Sequence, residues 1–401
     1  MRNTQSLKRF IDRWKNNSTP SKEILQEYKP FCLDLMYEDE ELILETTRIL
    51  RNNIEMWAKE KSPIYKNNDG FISKENLLDK STWYVNSVLG ESMHMATSGS
   101  TTGSPFHYLR WEPFLYFIEA ENHYDLIMDE FGIKNNPDVV YFFNTSRYDD
   151  NEALTISPDS DNFMEHHGLK RRANVHYVNF RMFKNDKDYF FKQFFEHLRN
   201  SEVDVIFAPG PSINTMCHYL KNEPKFKICK LLSNSNEKIM NEDASMLMDG
   251  YLENVCDHMR CWDGGATFFT CKYNNYHILD NLSWCESVDG KMVSTDYFSL
   301  PSPFVRYWNG DFCQISDTYQ RCDCGRLYRD FEFLENRPFS IKGRSILEIK
   351  ATLDSMKIRN IKQVRCSTDS VEVVSYSPIL DDQKKLLQEK YRFNFRFTVE
   401  N

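Results

Sequence analysis

Apolar positions in the first 62 residues recur at helical spacing. Leu7, Phe10, Ile11 and Trp14 fall on one face of a short helix. The same spacing predicts helices over 21–28 and 38–61, where Leu42, Leu44, Ile49, Leu50, Ile54 and Trp57 alternate with polar residues. Residues 66–80 open as a turn and close as a short helix, and a helix rich in Phe, Tyr and Ile is predicted from Trp111 to Phe131. From about residue 137 the pattern changes. Short apolar runs at 138–144, 174–180, 203–209 and 227–233 read as buried strands, and the stretches 188–200 and 212–221 between them as helices. Buried strands alternating with helices imply a parallel sheet covered on both faces. Such sheets take ligands beyond the carboxyl ends of their strands. Residues 266–315 are richer in strands, and past Gly343 the tail reads as two strands (361–366, 371–376), a helix (381–391) and a last strand (393–399).

The expected fold class is therefore α/β: a large N-terminal domain of mixed and parallel sheets flanked by helices, and a small α+β C-terminal domain. The expected divisions are a helical N-terminal segment (1–75), a core (76–337) and the small domain (338–401), hinged near 337–343.

Composition narrows the function. The 401 residues are 41% hydrophobic and 27% charged, as in an ordinary globular protein. The net charge is −9, with no block of Lys and Arg, which argues against a nucleic-acid partner. No apolar run reaches the ~18 residues of a membrane span. The N-terminus has no apolar core of a secretory signal. Eleven cysteines, an odd count without an export signal, fit a reducing cytoplasm with thiols as core residues or metal ligands. Aromatic residues at 14% suit an aromatic-lined pocket.

One stretch is unlike the rest: Thr97, Ser98, Gly99, Ser100, Thr101, Thr102 and Gly103, ahead of Ser104-Pro105. Glycine lets a backbone approach a ligand, and successive N–H groups with Ser and Thr hydroxyls can cradle phosphate oxygens. No Gly-Lys-Ser/Thr closes it, so it is not a Walker loop; a flexible polar turn has the same composition. Cys271, His277, Cys322 and Cys324 form two close pairs, C-x5-H and C-x-C. Together they would supply a tetrahedral Cys3His set suited to structural zinc; apart, they are buried thiols and a surface His. Asp311 follows Asn309-Gly310, where a carboxylate can accept two sugar hydroxyls or simply shape a turn. Asp263, before Gly264-Gly265, can hold Mg²⁺ through oxygen or likewise serve a turn. His166-His167 reads as surface loop, and no Ser-His-Asp or Cys-His nucleophile context is visible.

In this order the pieces resemble the adenylate-forming superfamily, in the branch of phenylacetate–CoA ligase, coenzyme F390 synthetase and capsule-biosynthesis proteins. Thr97 to Pro105 resembles the phosphate loop Ser/Thr-Ser-Gly-Ser/Thr-Thr-Gly-x-Pro, one hydroxyl longer. Asp257-x-Met259-Arg260-x-Trp262-Asp263 keeps the spacing of Asp-x-Tyr-Gly-x-Thr-Glu, and Arg306 to Asp311 resembles Arg-Tyr-x-x-Gly-Asp. The C-x5-H and C-x-C-Gly-Arg elements match the branch that carries a structural zinc, and Asn336-Arg337 with Ile341-Lys342-Gly343 resembles the hinge motif. The resemblance implies ATP as co-substrate, its phosphates on residues 97–103, its ribose on Asp311 with Arg337 near it, Mg²⁺ on Asp263 and Zn²⁺ on the Cys3His set. It implies an ATP-dependent ligase that activates a small carboxylic acid as an acyl-adenylate and passes it to CoA, a carrier protein or an amine such as an amino sugar. The departures are Ser104 for the loop Lys, Met259-Arg260 for Tyr-Gly and Trp262 for Thr. The family's adenylation Lys, in a Gly-Lys context near the C-terminus, has no counterpart. The resemblance therefore assigns no catalytic residue, and a non-catalytic nucleotide- or acyl-binding descendant acting through a partner protein is the alternative.

Overall fold

The structure is a computed structural model. It describes residues 4–20, 22–66, 70–78, 93–97, 107–111, 124–134, 136–142, 153–156, 174–179, 182–183, 186–235, 241–261, 264–335, 340–341 and 344–345. In the tail it describes 349, 353, 356, 358, 361–366, 370–375, 377–391 and 394–399.

The N-terminal helices form as their spacing requires: α1 (Thr4–Trp14), α2 (Lys22–Tyr28) and α3 (Glu40–Lys61), with α4 (Lys74–Leu78) after them. The apolar stripe of α1, Leu7, Phe10, Ile11 and Trp14, is buried. Glu40 and Glu41 begin α3 and Lys59 and Lys61 end it, which suits the helix dipole.

An eight-stranded sheet follows, in the order β11-β10-β9-β8-β7-β4-β6-β5. Its strands are β4 (Asp138–Tyr141), β5 (Leu154–Ile156), β6 (Asn174–Val178), β7 (Val205–Pro209), β8 (Cys229–Ser235), β9 (Leu252–Arg260), β10 (Thr267–Thr270) and β11 (Tyr276–Ile278). The run from β6 through β4, β7 and β8 to β9 is parallel, and the outer strands pair antiparallel. Helices α6 (Lys187–Asn200), α7 (Gly210–Leu220) and α8 (Asn241–Met248) make the crossovers; α5 (Leu126–Glu130) precedes the sheet.

Side chains alternate along each strand. Val139, Tyr141, Val205, Phe207 and Leu231 face the core shared with the N-terminal helices. Val140, Phe142, Ile206, Ala208 and Leu232 face α6, whose Phe190, Phe191, Phe194, Phe195 and Leu198 cover them. Burial on both faces is why these strands read as unbroken apolar runs.

A second sheet contains β1 (Ile72–Ser73), β12 (Ser283–Val288), β13 (Lys291–Asp296), β14 (Tyr307–Arg321) and β15 (Leu327–Glu335). Here Arg329 Nε donates to Asp280 Oδ2 at 2.9 Å, Tyr319 Oη donates to the same oxygen at 2.7 Å, and Arg329 Nη2 donates to the Cys285 carbonyl at 2.9 Å. A fully buried ion pair is tolerable because its donors and acceptors are matched. In the tail, β18 (Ile361–Cys366), β19 (Ser370–Ser375) and β20 (Asn394–Val399) form a three-stranded sheet, joined by α9 (Asp381–Tyr391) in a small core of its own. The short pair β16 (Ser340–Ile341) and β17 (Arg344–Ser345) precedes it. Among the described residues no helix is long and apolar enough to cross a membrane.

Two expectations are corrected. Trp111 does not open a helix. It ends strand β3 (His107–Trp111), which pairs antiparallel with β2 (Met93–Thr97), and the described helix in that region is α5. The hydroxyl-rich stretch thus connects the strands of a β-hairpin, and strand pairing overrides the helical propensity of its exit. Asn309-Gly310 is not a simple turn either. It lies inside β14, where the step from Lys291 to Val293 on β13 spans Phe312 to Trp308. Gly310, at φ 95°, supplies the left-handed backbone of this bulge.

Candidate functional site

The four candidate metal ligands come together. Cys271 opens the turn between β10 and β11, where its N–H donates to the Asn275 carbonyl and its carbonyl accepts from Asn274. His277 stands on β11 opposite Phe269. Cys322 and Cys324 form the turn between β14 and β15. Cys322 N–H donates to the Arg326 carbonyl, and Gly325, at φ 88°, donates to the Cys322 carbonyl. Two hairpin tips, one from each large sheet, therefore face each other with their ligand atoms within 4.8 Å of one another.

Cys271 Sγ and Cys322 Sγ are 3.7 Å apart, and Cys324 Sγ is 3.4 Å from His277 Nε2. A tetrahedral zinc with ordinary bond lengths sets these edges at about 3.8 Å and about 3.6 Å. The first distance is far too long for a disulfide. Cys271 donates to Cys324, and this bond together with His277 pulls the Cys324 thiol well below the ordinary thiol range. Asn275 Nδ2 donates to Cys322 Sγ at 3.2 Å. Rings hold the imidazole: Phe269 stacks on His277 at 5.3 Å, and Tyr328 tilts against it at 5.2 Å. The Arg326 guanidinium lies over the rings of Tyr37 and Phe269 and pairs with Glu130, tying the knuckle to α5. The donor set and its spacing fit a structural zinc.

Away from this cluster, the strand that leaves the hydroxyl-rich stretch and the turn after β9 both pack near β13 and β14. The hairpin carrying the hydroxyl-rich loop is anchored by its exit strand. Tyr108 packs edge-on against Phe304, Leu109 N–H donates to Ser302 Oγ at 2.8 Å, and buried Arg110 Nη1 lies 3.4 Å from Asp296 Oδ2. The turn after the carboxyl end of β9 presses on the same place. A Cβ on Gly264 would lie 2.7 Å from the Tyr307 ring and 2.8 Å from Ser294 Oγ, and one on Gly265 would lie 2.5 Å from Asp296 Cγ. Asn309 Nδ2 donates to Cys261 Sγ at 2.9 Å, and Asn309 Oδ1 accepts from the Asp311 N–H at 2.9 Å. Asp311 is buried on β14. The exit strand of the hairpin and Gly264-Gly265 thus share contacts around Asp296, Ser294 and Tyr307, and the Asp311 bulge meets the same turn through Asn309 and Cys261. The parallel sheet delivers that turn at the carboxyl end of β9, where this kind of sheet takes ligands.

Residues 98–103, Asp263 and Arg337 lie outside the described residues, as do His166 and His167, and Thr97 is placed by its backbone alone, at the end of β2. Asp257 has both oxygens occupied, accepting from Asn234 Nδ2 at 2.7 Å and Tyr276 Oη at 2.9 Å. Its neighbour His258 is held neutral: burial pushes its pKa down to about 3, and its Nδ1 sits 2.6 Å from Ser233 Oγ. Sequence reasoning missed Arg110 and Asp296, which are 186 residues apart. Arg110 carried one usable signal, its place on the strand leaving the loop. Asp296 carried none.

No protein-family description and no curated protein matches the sequence. Solved structures do match in fold, among them three of 2-hydroxyisobutyryl-CoA ligase. With 2-HIB-AMP and CoA in the thioesterification state, the TM-score is 0.58 at 14% identity, covering 96% of this chain and 91% of that one. With R3-HIB-AMP in the postadenylation state it is 0.55 at 12% identity, covering 96% and 90%. An open conformation with 2-HIB-AMP and CoA gives 0.52 at 13% identity, covering 89% of each. At these identities the likeness is one of fold: the chain has the fold of 2-hydroxyisobutyryl-CoA ligase, a large N-terminal α/β body followed by a smaller C-terminal unit.

Proposed function

We propose that the protein is an ATP-dependent ligase. It activates a small carboxylic acid as an acyl-adenylate, with loss of pyrophosphate, and passes the acyl group to a thiol or amine: CoA, a carrier protein or an amino sugar. The observation that carries this reading is the convergence of the loop hairpin, the 261–265 turn and Asp311 on one patch of β13–β14, in a chain with the fold of an acid–CoA ligase. In this reading residues 97–103 bind the ATP phosphates, Asp311 takes the ribose hydroxyls with Arg337 beside it, and Asp263 holds Mg²⁺. Backbone N–H groups and Mg²⁺ stabilise charge as it develops on the phosphates. The Cys271, His277, Cys322 and Cys324 cluster holds one structural zinc that joins the two large sheets. The small domain begins at about residue 338, and the site is cytoplasmic.

The test is acid-dependent ATP–pyrophosphate exchange over a broad panel of carboxylic acids. Exchange with at least one acid, lost in Thr101→Ala/Gly103→Ala and weakened at least tenfold in Asp311→Ala, is the expected result. Zinc-loaded protein that binds ATP yet exchanges with no acid would overturn it in favour of a non-catalytic nucleotide-binding protein. Met259-Arg260, in place of Tyr-Gly, is the residue-level observation that favours this second reading.

A further inference from the structure

The sheet does not by itself orient Asp311. Val293 of β13 pairs with Trp308 and Lys291 with Phe312, so Asn309, Gly310 and Asp311 stand opposite the single residue Met292. In a regular strand the pleat sets the direction of each side chain; in a bulge local contacts set it. Here side chains of the bulge hold both main-chain groups of Asp311. Its N–H donates to Asn309 Oδ1 at 2.9 Å, and its carbonyl accepts from Trp308 Nε1 at 3.1 Å. The Trp308 ring packs edge-on against Phe312 at 5.7 Å and Phe71 at 6.2 Å.

Asn309 also reaches outside its own strand, through Nδ2, which donates to Cys261 Sγ at 2.9 Å. Cys261 is fixed in turn: its N–H donates to the Ala266 carbonyl at 2.8 Å, and its carbonyl accepts from the Gly265 N–H at 3.0 Å. These two bonds close the base of the 261–265 turn. An Asn amide has an acceptor end and a donor end, and here each end meets a different element. A main-chain N–H can meet only the oxygen end, so the bond to Asp311 fixes which way the amide points. Asn309 and Asp311 are 8% and 7% exposed, so water competes little for this bridge. Position 309 is one of the two that the Arg-Tyr-x-x-Gly-Asp resemblance leaves unassigned.

We propose that Asn309 is a positioning residue for nucleotide binding: it fixes the direction of Asp311 relative to the 261–265 turn. The inference rests on the reading in which Asp311 takes the ribose hydroxyls. Hydrogen bonds to a carboxylate are short and directional, and one carboxylate meets two neighbouring hydroxyls in one geometry only. A small rotation of Asp311 therefore forfeits the ribose bonds and leaves the contacts of the rest of the nucleotide in place.

The experiment is calorimetry of the full chain with ATP and with 2′,3′-dideoxy-ATP, which lacks both ribose hydroxyls. The parent is expected to prefer ATP by about tenfold or more, and Asp311→Ala to abolish that preference. Asn309→Ala is expected to reduce the preference to about threefold or less by weakening ATP, with the dideoxy nucleotide bound as in the parent. Asn309→Ser, whose hydroxyl can still accept from the N–H two residues on, retains part of it. A full preference in Asn309→Ala overturns the proposal, and so does an equal loss for both nucleotides, which is what general damage to the fold produces. Should Asn309→Ala lose cooperative unfolding, Cys261→Ala decides in its place, because it cuts the tie to the turn without touching the bulge: a reduced preference upholds the proposal and an unchanged one overturns it. A parent that binds neither nucleotide, or both alike, or a preference that survives Asp311→Ala, defeats the ribose reading and this inference with it. A preference lost in Asp311→Ala and kept in Asn309→Ala defeats this inference alone.

Discussion

Gly264 and Gly265, at φ 93° and 76°, occupy backbone that a side chain resists on two counts. The left-handed region costs an L-residue roughly 1–2 kcal/mol, and a Cβ on Gly265 would lie 2.5 Å from Asp296 Cγ. Asp296 cannot give way cheaply, because its other contacts are Arg110 Nη1 at 3.4 Å and the Phe298 N–H at 2.9 Å. Gly265→Ala is therefore expected to destabilise the protein by about 2–4 kcal/mol in urea titrations. It should also weaken ATP binding more than Gly132→Ala, where a Cβ meets nothing within 4 Å. His258 bears on stability through pH. Its folded pKa of about 3 lies below its ordinary value of 6.5, so the unfolded chain binds more protons between these values. Its contribution is intact above pH 6.5 and is lost as pH falls, by about 1.4 kcal/mol per unit. Between pH 7 and pH 5, His258→Asn should therefore lose about 2 kcal/mol less stability than the parent when unfolding free energies are compared. Equal losses would show that His258 is protonated at no cost.

At the scale of elements, the two cysteine hairpins work as one clasp. Each turn is closed by its own backbone hydrogen bonds, but the pairs belong to different sheets, so an ion held by all four ligands would crosslink β10–β11 to β14–β15. Purified protein should contain about one zinc per chain, and Cys322→Ala should lose it. Thermal unfolding with and without a strong chelator should show a lower midpoint for the stripped protein, and Asn275→Ala, which removes a hydrogen bond to Cys322 Sγ, should release zinc faster. An unchanged metal content in Cys322→Ala would sink the assignment. The spacing of these cysteines was legible in the sequence, but spacing alone left open whether the pairs meet, because Cys271 and Cys322 are 51 positions apart; the family resemblance implied one set, and the structure brings the four together. The same division holds elsewhere. Helices α6 and α9 and the apolar strands of the parallel sheet follow from periodicity and burial. The hairpin β2–β3 and the bulge at Gly310 depend on partners distant in sequence, so local pattern misread Trp111 as helical and Asn309-Gly310 as a simple turn. Arg110 and Asp296 are visible only once β3 docks on β13.

For the whole molecule, the helices of the first 65 residues and the tail stand in different relations to the main core. Leu7, Phe10, Tyr28, Ile54 and Trp57 share one apolar cluster with Phe298, Leu300 and Phe304, far along the chain. Polar ties reinforce it: Tyr28 Oη donates to the Asn281 carbonyl at 2.9 Å, Trp57 Nε1 to the Leu300 carbonyl at 2.9 Å and Tyr65 Oη to the Pro303 carbonyl at 2.6 Å. The tail buries Ile349, Leu353, Val371, Val373, Leu387 and Phe395 in a cluster of its own. Each large apolar side chain returned to water costs about 1.5–3 kcal/mol, against a total stability of about 5–15 kcal/mol. Removing residues 1–65 strips far more than the margin, whereas removing 338–401 leaves the main cluster complete. A chain of residues 66–401 should therefore show no cooperative thermal transition and no near-ultraviolet circular dichroism of packed aromatics, and residues 1–337 should keep both. A cooperative transition in 66–401 would mean that the helices merely coat a self-sufficient core. Its loss in 1–337 would mean that the tail contributes packing to the large body. ATP binding measured on 1–337 then separates the contribution of residues 97–103 and Asp311 from that of the tail, and binding within about tenfold of the full chain is the expected outcome.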